Sequence, residues 1–192
     1  MRLSPKLRRP FLKLVKTLAD ELPEAHGAII RVRFRPNLHA HRGRLVSHAV
    51  GQPIHAASDI RKRLIVLDAG LREEPSELRR ILVHELFHFA WANLGTPTRK
   101  AWARVIEAEW KRRARGELGW SSEYRKTALR AKPPEEHDPR FWRDYLCESF
   151  CDTAAWLYAG VGDHAEFTLA ARFADARAAW FRESFQSRTL SI

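Results

Sequence analysis

The chain has too little cysteine for a disulfide framework. Its only two thiols, Cys147 and Cys151, stand one helical turn apart, and a stapled fold needs more than that. They read as two buried thiols on one helix face, with a redox or metal role as the alternative. No apolar run approaches the length of a membrane span. The first residues, Met1 to Arg9, are charged but lead into no apolar segment or small-residue cleavage site, so they do not read as a secretory signal. The expectation is a cytoplasmic chain without membrane partners. Internal repeats and low-complexity stretches are missing too. With 192 residues, 45% apolar and 30% charged, the sequence has enough material for one folded domain over 1–192 and little for a second.

Positive charge is in excess. Lys and Arg number 34 against 23 Asp and Glu, for a net charge of +11. A basic run lies at Lys111, Arg112, Arg113 and Arg115. Such a surface reads first as a well-solvated face, and second as a contact for nucleic acid or an acidic protein.

The periodicity describes an α+β domain with about five helices and a small, roughly three-stranded sheet. Leu7, Phe11, Leu14, Val15 and Leu18 make residues 5–21 an amphipathic helix that Pro23 stops. From Ala28 the period becomes two: Ile30, Val32 and Phe34 alternate with Arg31, Arg33 and Arg35, giving a half-buried strand with a basic face. Residues 37–43 read as loop, 44–50 as a second strand and 51–53 as a turn. Leu64 to Leu67 is apolar on both faces and suits a central strand.

Pro75 opens a helix that runs to Leu94, with Gly95 as its stop. Further helices are expected over 98–115, 140–159 and 163–185. Residues 116–140, with several Gly and Pro, read as an irregular lid-like insertion, and residues 187–192 as a loose tail.

The 75–94 helix is apolar on most sides, yet carries His84, Glu85 and His88. Polar groups on a buried helix mark function. His84 and His88 are four apart, about 40° round a helix, so both imidazoles leave one face and can share one Zn2+. Glu85 stands about 60° from His88, beside the metal rather than on it, where a general base for an activated water belongs. Chance would supply roughly 0.03 matches to this spacing.

Two His need a third protein ligand. Trp91 and Leu94 occupy the places where a continuing Gly and His would stand, which excludes a three-histidine version. The remaining options are His137, His164 or a downstream carboxylate, and Glu148 stands out. Glu148 and Asp152 are four apart, with Asp144 a turn earlier and Ala155 and Ala159 continuing the stripe. A cation would relieve the mutual repulsion of three such carboxylates. In this reading Glu148 ligates, and Asp152 or Asp144 accepts the spare N–H of a ligand His.

The pair His84-Glu85-Leu86-Phe87-His88 and Glu148-Ser149-Phe150-Cys151-Asp152 resembles the gluzincin branch of the zincin metallopeptidases, and Glu148 to Ala155 is similar to the second motif of small bacterial peptidases of the ImmA/IrrE type. The resemblance implies a zincin-like fold and peptide-bond hydrolysis of a peptide or protein substrate. It implies one Zn2+ on His84, His88 and Glu148, with Glu85 as general base and Asp152 orienting His84. Candidates for the oxyanion-stabilising group are Tyr158, His164, Tyr145 and Tyr124. Two rival expectations stand beside it. One is a non-catalytic or regulatory zinc protein that binds nucleic acid through its basic surface. The other is a closed structural zinc site completed by Cys147 or Cys151.

Overall fold

The structure, a computed structural model, describes residues 16–18, 20–42, 44–185 and 189–192. The helix expected over 5–21 lies mostly outside these residues. Its described end, 16–18 and 20–21, is helical, with Leu18 buried. The fold is α+β. Its strands are β1 (Ala25–His26), β2 (Arg31–Arg35), β3 (His39–His41), β4 (Arg44–Val46), β5 (Gln52–Pro53), β6 (Ala56–Asp59), β7 (Leu64–Asp68) and β8 (Leu190–Ser191). Its helices are α1 (Pro75–Asn93), α2 (Thr96–Lys111), α3 (Trp120–Arg130), α4 (Pro139–Tyr158) and α5 (Ala171–Phe185).

β7 is the centre of a three-stranded sheet ordered β2-β7-β6. It runs parallel to β2, pairing Val32 with Ile65 and Phe34 with Leu67, and antiparallel to β6. Ile65, Val66 and Leu67 are all buried, as a strand apolar on both faces requires. On β2, Phe34 faces inward while Arg31 and Arg33 are exposed. β6 was not anticipated. Ala-Ala-Ser-Asp has neither β-branched residues nor alternation, and its strand form comes from pairing with β7.

A second antiparallel sheet, β4-β3-β5, replaces the single strand expected over 44–50. It draws in 39–41, read as loop, and 52–53, read as turn. The tail is not loose over its last residues. β8 pairs in parallel with β1, and Leu190 is buried. No helix among the described residues is long and apolar enough to cross a membrane.

α1 begins at Pro75 as expected and ends at Asn93, where Leu94 turns extended. Gly95 serves as the start of α2 rather than as a left-handed stop. α1 and α4 pack through aromatic rings, Phe150 standing 5.8 Å from Phe87 and 5.3 Å from Trp91. Trp102, Trp180, Phe181 and Phe185 complete the cluster around Phe150. Aromatic pairs at these separations add about 0.5–1.5 kcal/mol each to what their burial contributes. That packing sets the histidine face of α1 against the carboxylate face of α4.

Two expectations fail downstream. Residues 116–140 are not irregular: α3 occupies 120–130, and a 3-10 turn follows at Pro134–Glu136. The buried side of α3 is Ser122, Lys126 and Leu129. Its helical spacing is regular, but two of the three residues are polar, so an apolar-period reading passes over it. The last helix starts at Ala171 rather than 163. The preceding strip is tied down by the Thr168 and Leu169 amides, which donate to the Glu117 carbonyl.

Candidate functional site

Three lone-pair atoms converge between α1 and α4. His84 Nε2 stands 3.2 Å from His88 Nε2 and 3.2 Å from Glu148 Oε2, and His88 Nε2 stands 3.8 Å from the same oxygen. The far side of His84 fixes its tautomer. Nδ1 donates to Asp152 Oδ1 at 2.7 Å, which leaves Nε2 as an acceptor in the neutral ring. Two imidazole nitrogens and a carboxylate oxygen at these separations can share a proton or a metal cation between them.

Tetrahedral zinc with bonds of about 2.0–2.2 Å places neighbouring ligand atoms about 3.4 Å apart. The observed triangle has that size. The electrostatics agree with the geometry. Burial opposes charge on His84, yet the carboxylates of Asp152 and Glu148 raise its pKa well above the ordinary value. Desolvation of the half-buried His88 ring and the charge of His84 oppose its protonation, yet Cys147 and Glu148 push it up to about 9. Burial would raise Glu148, but the two imidazoles and Arg125 bring it down to about 2. The carboxylates of Glu148 and Asp152 thus favour positive charge on the imidazoles they face.

Glu85 is buried beside this triangle. The Ser58 hydroxyl, on β6, lies 2.6 Å from Glu85 Oε2 and 3.0 Å from its carbonyl oxygen. A Glu85 carboxylate oxygen lies within 4.8 Å of ligand nitrogens of both histidines. That distance suits a group that exchanges protons with a molecule held at the triangle. Two cavities open on either side. One of about 330 Å3 is bounded by Ile54, His55, Ala56, Ile81 and Trp120. The other, of about 370 Å3, is bounded by Ala57, Ser58, Ile60, Trp91 and Cys147. His84, Glu85, Ala56 and Ser121 line both.

The other candidates lie elsewhere. Asp144 is exposed a turn away, and the single spare nitrogen of His84 is already taken by Asp152. His137 points Nε2 at the carbonyls of Leu129 and Lys132. His164 pairs with Glu77 at 3.2 Å, in a cluster where Arg80 bridges Glu77 and Glu166. Tyr158 stacks on Phe87, and burial pushes its hydroxyl up to about 12. Tyr145 is buried and donates to Glu117 Oε1 at 2.6 Å. Tyr124 is exposed and stacks on Trp120. None of the four expected oxyanion partners lines either cavity.

Both cysteines are free thiols. Cys147 Sγ stands 3.5 Å from His88 Nδ1, on the side of the ring away from the triangle. It therefore fixes the His88 ring and adds no fourth atom to the three that converge. A hydrogen bond from Cys151 and the neighbouring His88 bring Cys147 down to about 6 despite burial. Cys147, Cys151 and His88 also cluster closely enough for one ion.

Sequence reasoning missed three contributors. Ser58 sits on the unanticipated β6. Ser122, on α3, donates to Asp152 Oδ2 through its amide (3.0 Å) and its hydroxyl (2.7 Å). Arg125, on the same helix, pairs with Glu148 Oε1 at 3.1 Å. Their only signal was a Ser and an Arg three residues apart, too common to notice before α3 is recognised. Behind them Glu117, Lys126, Arg177 and Glu109 form a buried ionic network. Comparison of the chain with protein families, with curated proteins and with solved structures found no significant match.

Proposed function

We propose that this chain is a zinc-dependent metallopeptidase of gluzincin type, with His84, His88 and Glu148 as ligands and Glu85 as general base. The observation that carries the reading is the triangle itself. Its three converging lone pairs have the edge lengths of a tetrahedral zinc site, and a buried carboxylate lies beside it in a cleft open on both sides. Zinc held there would polarise a substrate carbonyl and lower the pKa of a water towards about 7.

The remaining work falls to the chain's own groups. Glu85, with one oxygen held by Ser58, takes a proton from the attacking water and passes it to the leaving amine. Asp152 keeps the His84 ring in the tautomer that offers Nε2. β6 is an edge of its sheet and borders both cavities. Its outer backbone groups suit pairing with an extended peptide, which would lay the scissile bond across Glu85. A small sheet whose edge strand flanks a histidine-bearing helix, followed by a carboxylate-bearing helix, supports a zincin-like reading of the fold.

The test is metal analysis together with hydrolysis of an unfolded protein such as casein. Wild type is expected to hold about one zinc and to cleave. Glu85→Gln is expected to keep the zinc and lose roughly 10²- to 10⁴-fold in rate. Wild type that carries full zinc yet cleaves nothing, or a Glu85→Gln variant as fast as wild type, would end the peptidase reading.

A further inference from the structure

We infer that helix α3 orients the metal centre. Ser122 and Arg125 hold the outer oxygens of Asp152 and Glu148, so that one oxygen of each carboxylate meets the imidazoles. The inference rests on the proposed zinc site and adds positioning residues to it.

Each carboxylate is divided in the same way. Asp152 gives Oδ1 to His84 and Oδ2 to Ser122. Glu148 gives Oε2 to the histidine pair and Oε1 to Arg125. Ser122 and Arg125 are three apart on α3, while Asp152 and Glu148 are four apart on α4, and the contacts run in opposite directions along the two helices. One helical turn of α3 therefore serves both groups. Without these partners a carboxylate can rotate, chelate through both oxygens or swing away, and the triangle loses its size.

Three further observations separate this from ordinary helix packing. Gly119, at the start of α3, lies so close that a Cβ there would stand 2.3 Å from the Asp152 carboxyl carbon. Its φ of 177° suits any residue, so proximity to Asp152 is what calls for glycine. The Ser122 amide also comes from the first turn of the helix, where free N–H groups and the helix dipole favour an anion. The face that α3 buries is largely polar. Lys126 reaches Glu117 at 2.8 Å and the Gly116 carbonyl at 2.6 Å, and Leu129 is its one buried apolar side chain. A helix with that face adds little hydrophobic burial, whereas its polar groups are placed to hold two carboxylates.

The experiment compares Ser122→Ala, Arg125→Gln and Arg125→Lys with Leu129→Ala, which loosens α3 without touching either carboxylate. Zinc affinity is measured by competition with a chromophoric chelator. Metal-free protein is examined by NMR for the His84 Nδ1–H proton shared with Asp152.

Ser122→Ala and Arg125→Gln are each expected to weaken zinc roughly 10- to 100-fold, the range for groups that orient metal ligands. Arg125→Lys should recover most of the loss. Leu129→Ala should lower the melting temperature and weaken zinc less than either Ser122→Ala or Arg125→Gln. Ser122→Ala should add no further loss in an Asp152→Ala background, and in metal-free protein it should speed exchange of the His84 proton.

Wild-type zinc affinity in Ser122→Ala and Arg125→Gln overturns the inference and leaves the zinc site standing, as does equal weakening by Leu129→Ala. A wild type that binds no zinc, with the His84 proton still dependent on Ser122, overturns the zinc site and leaves the orienting role.

Discussion

Glu148→Gln tests the third ligand with little change of shape. Glu148 Oε2 completes the triangle at 3.2 and 3.8 Å from the two imidazoles, while Oε1 pairs with Arg125. The amide keeps the volume and an acceptor for Arg125, but its oxygen carries no charge and is a weak donor to zinc. Four-ligand zinc sites bind with about 10–16 kcal/mol, so one ligand carries about 3 kcal/mol, or roughly 100-fold in affinity. At free zinc of about 100 times the wild-type Kd, binding stabilises the wild-type fold by about 2.7 kcal/mol. For a chain of this length that raises Tm by about 5–10 °C. The variant, roughly 100-fold weaker, gains only about 0.4 kcal/mol at the same zinc, or about 1–2 °C. Melting curves followed by circular dichroism, with zinc and with chelator, read the difference directly. A Glu148→Gln variant with the full wild-type zinc shift would refute Glu148 as a ligand, and with it the meaning assigned to the triangle.

Two more predictions concern what holds the site. Arg177 and Lys126 bring Glu117 from its ordinary 4.5 to about 2 against the opposing effect of burial. A depressed carboxyl contributes stability that is complete above the unfolded pKa and lost as pH falls from about 4.5 towards 2; the shift is worth roughly 3 kcal/mol. Urea unfolding at about pH 5 and about pH 3 should show about 2 kcal/mol of that loss in wild type and little of it in Glu117→Gln. Equal acid sensitivity in the two proteins would contradict the assignment. Phe150 is fully buried among six aromatic rings between α1 and α4, so Phe150→Ala should cost about 3–5 kcal/mol and weaken zinc binding as the helices part. Unchanged chemical denaturation would show that this cluster does not join the helices.

Much of the site could be read along the chain because its chemistry has a short period. His84, Glu85 and His88 share one helix, as do Glu148 and Asp152, and helical spacing alone places each set on a face. The central strand β7 and the half-buried β2 could be read for the same reason: burial on two faces or one leaves a pattern in consecutive residues. β6 left none, because Ala56 to Asp59 are strand only through their pairing with β7. α3 escaped for a related reason. Its buried face is polar, and a period search looks for apolar residues.

The sequence by itself determined which side chains could share a cation, since two imidazoles one turn apart leave a helix on one face. It also narrowed the third ligand to His137, His164 or a carboxylate. Which of them stands beside the histidines was tertiary. Glu148 meets the histidines, whereas His164 pairs with Glu77 and Asp144 lies in solvent. Tertiary structure alone also decided which oxygen of each carboxylate faces inward, because Ser122 and Arg125 reach Asp152 and Glu148 across more than twenty residues of chain. Spacing along one helix sets direction, whereas contact between helices depends on how their faces are buried together.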